Sequence, residues 1–122
     1  MLRRRPFASR ETRLFLCDAI DALRKVANYV DGVDLAKFLA DELRVSGVER
    51  ELFVAGEAAK HVPEDLRKRA AHLDWRGLTG LRDVLAHDYF GIETETLFEI
   101  ACNDAPRARA GLEALLALVD GD

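Results

Sequence analysis

Apolar residues that return every three or four positions decide what this chain can fold into. Leu16, Ile20, Leu23, Ala27 and Val30 follow one another at spacings of 4, 3, 4 and 3, and Phe15, Ala19, Ala22, Val26 and Tyr29 run one position behind them. Two such rows make the wide apolar stripe of a helix packed on a core. Ser9 is placed to cap this helix and Glu11 to charge its first turn favourably, so a helix is predicted over about 10–30, stopped near Asp31-Gly32. Nowhere do apolar and polar residues alternate with the period of a strand, and no internal repeat or low-complexity tract interrupts the pattern.

The same signals recur downstream. Asp34 can cap a shorter helix carrying Leu35, Phe38, Leu39 and Leu43, ending at Ser46-Gly47. A third helix begins near Val48, presents Leu52, Ala55 and Ala59 with Phe53 and Val62 alongside, and is interrupted at Pro63. Pro63-Glu64-Asp65 reads as the first turn of a short following helix. Asp74 is a good cap for a fourth helix through Leu78, Leu81, Val84 and Leu85 towards Gly91. Its Gly77 and Gly80 each cost about 1 kcal/mol against alanine, which points to close helix packing or a distorted first turn. The last segment splits at Asn103-Asp104-Ala105-Pro106 into helices of roughly 94–103 and 105–119. Short connections favour antiparallel neighbours, so the expected fold is all-α, an up-and-down antiparallel bundle of four to five helices. Residues 1–9 are expected to be a basic arm and 10–122 a single domain, the ordinary size for a chain of 122 residues.

At 49% apolar and 33% charged residues, disordered and collagen-like chains are excluded. The net charge of −4 advertises no basic surface for nucleic acid, but the charge is unevenly spread. Residues 1–13 hold five arginines against Glu11, a local +4, while the rest of the chain stands at −8. Lys60, Arg67, Lys68, Arg69 and Arg76 form a second, smaller basic excess. Cys17 and Cys102 match no metal or redox spacing and read as reduced core thiols. With no membrane-length apolar stretch and no signal-peptide core, the expected location is the cytoplasm, with no membrane partner.

One segment carries chemistry. Leu81-Arg82-Asp83-Val84-Leu85-Ala86-His87-Asp88-Tyr89-Phe90-Gly91 puts an arginine, a histidine and a tyrosine around one helix end. Arg82 and Tyr89 are seven apart, on one face of a continued helix, and His87 joins them if the helix loosens towards Gly91. Metal-free cleavage of RNA needs such a set. A base takes the 2′-hydroxyl proton, an acid protonates the departing 5′-oxygen, and a fixed cation stabilises the charge growing on the phosphoryl oxygens. The planar fork of arginine suits the third role. One chain offers a single His87 for two proton transfers, and a two-fold dimer through this helix would supply both histidines and both arginines.

Arg82-x4-His87-x-Tyr89 resembles the signature of the HEPN superfamily, in its HepT-like ribonuclease-toxin branch. Gly56-Glu57-Ala58-Ala59-Lys60 is similar to the Gly-Glu-Ala-Ala-Lys run of that branch. Asp74-Trp75-Arg76 and Gly80-Leu81-Arg82-Asp83 are similar to its Trp-Arg and Gly-x-Arg-Asn/Asp segments. The likeness spans about 10–118, and the chain departs from it in the N-terminal arginines and in Leu73, where a proline often stands. The resemblance implies an all-helical homodimer that acts as a metal-independent endoribonuclease, the toxin of a type VII-like toxin–antitoxin pair, with no cofactor. Arg82 and His87 would be its catalytic pair, with Asp83 orienting them. Tyr89 would be the tyrosine that a cognate MNT-type nucleotidyltransferase antitoxin modifies with AMP. Phosphate charge two residues from His87 would repel an RNA phosphate. Arg76 and Phe90 are further candidates for RNA contact. A non-catalytic helical module that binds nucleotide or docks a nucleotidyltransferase is the alternative. His61, four after Glu57, makes a local helix pair, no metal set with His72 or His87 is justified, and the role of Glu57 is open.

Overall fold

The computed structural model describes residues 8–86 and 92–120. Its elements are α1 (Arg10–Val30), α2 (Leu35–Leu39), α3 (Glu42–Lys60), α4 (Glu64–Arg67) with a 3-10 turn (Lys68–Ala70), α5 (Trp75–Ala86), α6 (Thr94–Glu99), a π turn (Ile100–Asp104) and α7 (Ala105–Asp120). No strand occurs among the described residues, and the all-α bundle expected from the periodicity is what forms.

The caps predicted from sequence are present. Thr12 N–H donates to Ser9 Oγ at 3.0 Å, Lys37 N–H to Asp34 Oδ1 at 2.8 Å and Gly77 N–H to Asp74 Oδ1 at 2.9 Å. α1 stops where Gly32 takes a left-handed φ of 70°, which a residue with a Cβ adopts at a cost. The core lies among Leu16, Leu23 and Val26 of α1, Val48, Leu52 and Ala55 of α3, and Leu112, Leu115 and Val119 of α7. Phe38 of α2 and Leu97 of α6 are also fully buried, and α2 and α6 meet where the Phe38 and Phe98 rings lie 5.0 Å apart. End-to-end contacts show that α1 runs against both neighbours. Arg44 at the start of α3 donates to Tyr29 O at the end of α1, and Arg13 at the start of α1 pairs with Asp120 at the end of α7 at 3.0 Å.

Four expectations change. Ser46-Gly47 is not a break: Asp41 caps α3, which runs on through both residues, and Gly47 makes room there for the ring of Tyr29. The last segment does not split at Asn103 either. Pro106 has no N–H to give a regular helical ladder, and a π turn absorbs the mismatch, with Ala105 N–H reaching Ile100 O. Gly77 and Gly80 are not the close-packed glycines. The space at Gly77 holds the capping carboxylate of Asp74, and a Cβ on Gly80 would meet nothing within 4 Å among the described residues. Lastly, Cys17 is exposed because it lies off both apolar rows of α1, while burial of the partly covered Cys102 pushes its thiol up.

A candidate active site on the contact between α3 and α5

The close helix contact is made by Gly56 on α3. A Cβ there would stand 2.8 Å from Leu78 O and 2.9 Å from Arg82 N, so the backbones of α3 and α5 meet at a distance that requires glycine. The start of α5 is anchored by buried Trp75, whose indole N–H donates to Ala70 O at 3.0 Å. From these two fixed points Arg82 and Asp83, late in α5, are delivered beside Glu57 and Lys60, late in α3.

The four side chains form a continuous ionic cluster. Arg82 Nε donates to Glu57 Oε2 at 2.8 Å and Arg82 Nη1 reaches Asp83 Oδ1 at 3.4 Å. Lys60 Nζ donates to the same Asp83 oxygen at 2.7 Å. The other Glu57 oxygen lies 3.7 Å from His61 Nε2, the local pair expected four residues apart, and the His61 ring stacks on Phe15 at 4.3 Å. Arg82 also lies over the Phe53 ring at 5.8 Å. Charge and hydrogen bonding act together here. The hydrogen bond and charge of Glu57 hold Arg82 still more firmly protonated, and the Lys60 ammonium keeps the Asp83 carboxyl below the usual carboxylate range. The Arg82 side chain stays 40% exposed, so a ligand from solvent can reach it.

Of the residues singled out by sequence, Arg82 and Asp83 are thus adjacent and in one cluster. Arg76 is exposed in the first turn of α5, about 9 Å along the axis from Arg82, and does not join it. His87, Tyr89 and Phe90 lie outside the described residues. In the sequence Lys60 belongs to a basic excess and, with Glu57, to the Gly-Glu-Ala-Ala-Lys run, and neither carries an assigned role. Their spacing of three on one helix carried the signal, but only the Gly56 contact says which residues they face. Among the described residues no group of three or more His, Cys, Asp or Glu is arranged to hold a metal ion, and no helix is long and apolar enough to cross a membrane. The opposite flank of α5 borders a cavity of about 820 Å³, lined by Leu78 and Leu81 of α5, Leu23, Leu52, Ile100 and Gly111; none of the ionic cluster lines it.

Comparison with known proteins identifies the family to which the chain is similar. The family model described as "Ribonuclease HepT-like" matches residues 19–115, which includes both Glu57 and Arg82. "Putative RNase MJ0127" of Methanocaldococcus jannaschii is 31% identical over 113 residues, 93% of each chain. "Putative RNase MJ1216" of the same organism is 30% identical over 112 residues, 92% of this chain and 93% of the relative. "Probable ribonuclease HepT" of Thermococcus cleftensis is 29% identical over 101 residues, 83% of this chain and 92% of the relative. No solved structure gives a significant match.

Proposed function

The chain belongs to the ribonuclease HepT-like family, and from that membership we propose that it is an endoribonuclease that cuts RNA by metal-independent transesterification. The observation that carries this reading is Arg82, a half-exposed guanidinium held on its Nε edge by Glu57 at 2.8 Å. A cation fixed in that way can meet the phosphoryl oxygens of a scissile phosphate as negative charge grows on them, with little reorganisation. His87, five residues on, is the proton-transfer group. The 2′-oxygen forms a bond to phosphorus, the bond to the 5′-oxygen breaks, and the products are a 2′,3′-cyclic phosphate and a 5′-hydroxyl. The two proton movements need two groups, so the working unit is a homodimer with His87 from each copy at one cleft. The outward side of α5 leaves room for such an arrangement, with Val84 39% exposed and a Cβ on Gly80 meeting nothing within 4 Å among the described residues.

The biological role that follows is a toxin whose partner is a nucleotidyltransferase antitoxin. Transfer of AMP to Tyr89, two residues from His87, would add charge and bulk at the cleft and silence it. This role rests on the likeness of Arg82-x4-His87-x-Tyr89 to the HepT-like signature.

The test is RNA cleavage by the purified wild type, Arg82→Ala and His87→Ala in the presence of a chelator, with light scattering for the dimer. Cleavage by the wild type, lost in both variants, is expected. A folded wild type that cleaves nothing, or variants that cleave as well as it does, would overturn the nuclease assignment and leave a non-catalytic module. The mass of Tyr89-containing peptides after incubation with a neighbouring nucleotidyltransferase and ATP tests the silencing step, with no mass gain as the outcome against it.

A further inference from the structure

Two carboxylates hold Arg82, and they hold it unequally. Nε meets Glu57 at 2.8 Å, Nη1 meets Asp83 only at 3.4 Å, and neither contact uses Nη2. The Asp83 oxygen concerned is shared with Lys60, which takes the short bond at 2.7 Å. Charge-assisted N–H···O bonds normally close to about 2.7–2.9 Å, so Asp83 is committed to the lysine and only leans on the arginine. Glu57 is braced on its far side by His61, itself stacked on Phe15.

We propose that Glu57 and Lys60 are a positioning pair for Arg82: Glu57 fixes the Nε edge of the guanidinium, and Lys60 draws Asp83 away so that the terminal nitrogens remain available to an anionic ligand. The ligand is an RNA phosphate, which rests on the reading of Arg82 given above. Without Lys60, Arg82 is the cation left to Asp83 among the described residues, and the carboxylate closes onto Nη1, where it competes with the phosphate. Without Glu57 the guanidinium loses its fixed edge and keeps only the Phe53 ring, over which it already lies at 5.8 Å, and the long contact to Asp83. Gly56 belongs to the same device, because a side chain there would push α5 off the helix that carries both positioning residues.

The first arm of the test uses a 2′-O-methyl RNA oligonucleotide, which lacks the attacking hydroxyl and is bound without being cut. Lys60→Met is expected to weaken its binding by about five- to tenfold, the scale of one charge-assisted contact, and to change it less than about twofold when Asp83→Asn is already present. Equal weakening in both backgrounds would make Lys60 a direct phosphate contact and overturn the proposal, as would no weakening in either. The second arm separates kcat from KM on cleavable RNA. Glu57→Ala is expected to lower kcat about tenfold or more with KM little changed, and Glu57→Gln, whose amide oxygen still accepts from Nε, to recover most of it. A loss as deep in Gln as in Ala would make Glu57 a charge-bearing or proton-transferring group instead of a positioning one. The Arg82 Nε–H resonance, protected in the wild type and lost in Glu57→Ala, reports the bond with no ligand at all. A wild type that binds but does not cut, with the Lys60–Asp83 coupling intact, rejects the nuclease reading and keeps the pair; cutting without coupling rejects the pair alone.

Discussion

Arg67 and Arg82 each lie over an aromatic ring, at 5.4 Å from Trp75 and 5.8 Å from Phe53, yet they are engaged in opposite ways. Arg67 donates to the backbone oxygens of Val62 at 2.9 Å and of Ala59 and Lys60 at 3.3 Å, and so closes the C-terminal end of α3. The Ala59 carbonyl also accepts from Val62 N–H at 3.1 Å, so Arg67 adds a second donor at the helix end, where the dipole favours a cation. Arg82 instead meets side-chain carboxylates, half in solvent. A backbone carbonyl cannot turn away to admit a ligand, whereas a carboxylate on a rotatable side chain can. Counting basic residues along the chain puts the two arginines in one class. What they bond to separates them into a structural cation and an available one.

The comparison breaks most sharply on deletion. Arg82→Ala is expected to reduce RNA cleavage about 10²–10³-fold, the usual effect of removing one transition-state charge contact, with a small change in melting temperature. Arg67→Ala is expected to do the reverse, costing about 0.5–1.5 kcal/mol through its lost hydrogen bonds and lowering Tm by several degrees while cleavage per folded molecule holds. Thermal unfolding and single-turnover cleavage on both variants decide it, and parallel losses in both properties would dissolve the distinction.

Gly56→Ala should affect the available arginine through packing. With Leu78 O and Arg82 N inside 3 Å of the new Cβ, α3 and α5 must part, at about 1–3 kcal/mol, and the Arg82–Glu57 bond should lengthen. A stability loss in denaturant unfolding together with loss of Arg82 Nε–H protection is the expected result. Gly80→Ala, where the described structure is open, should raise stability by up to about 1 kcal/mol if α5 is solvent-facing there. If that substitution instead weakens self-association, the outward side of α5 is a contact between copies.

A smaller effect is expected on acidification. Because Lys60 lowers the Asp83 carboxyl, the stabilisation from that pair is fully present above the ordinary carboxylate range and is lost as pH falls through the lowered value. Carbon-detected titration should show Asp83 protonating at lower pH in the wild type than in Lys60→Met, and coincident curves would count against the pair. The smallest effect belongs to Arg13 and Asp120, half-exposed partners at the ends of α1 and α7, whose removal should cost no more than about 1 kcal/mol in unfolding experiments.

Much of the fold was legible because helices write their period locally. Ser9, Asp34 and Asp74 each cap the helix their position announces, and the two rows of α1 supply its buried face. The misreadings fall where a local rule met a tertiary contact. Gly47 looks like a terminator until the Tyr29 ring is seen to occupy its place, and Asn103 through Pro106 look like a break until the π turn is seen to absorb the proline. Of the site, Arg82 and Asp83 were legible as a motif; His87, Tyr89 and Phe90 lie outside the described residues; Arg76 stands apart from the cluster. Glu57 and Lys60 were visible only as letters in a run.

The sequence by itself determined an all-helical chain, the positions of its main caps and the segment that carries the Arg82 motif, since each of these depends on residues within a few turns of one another. Tertiary structure alone decided which charges are tied to the backbone and which stay open to solvent. That choice depends on how near two helices can come, and at Gly56 they come near enough for α3 to hold Arg82 by its edge.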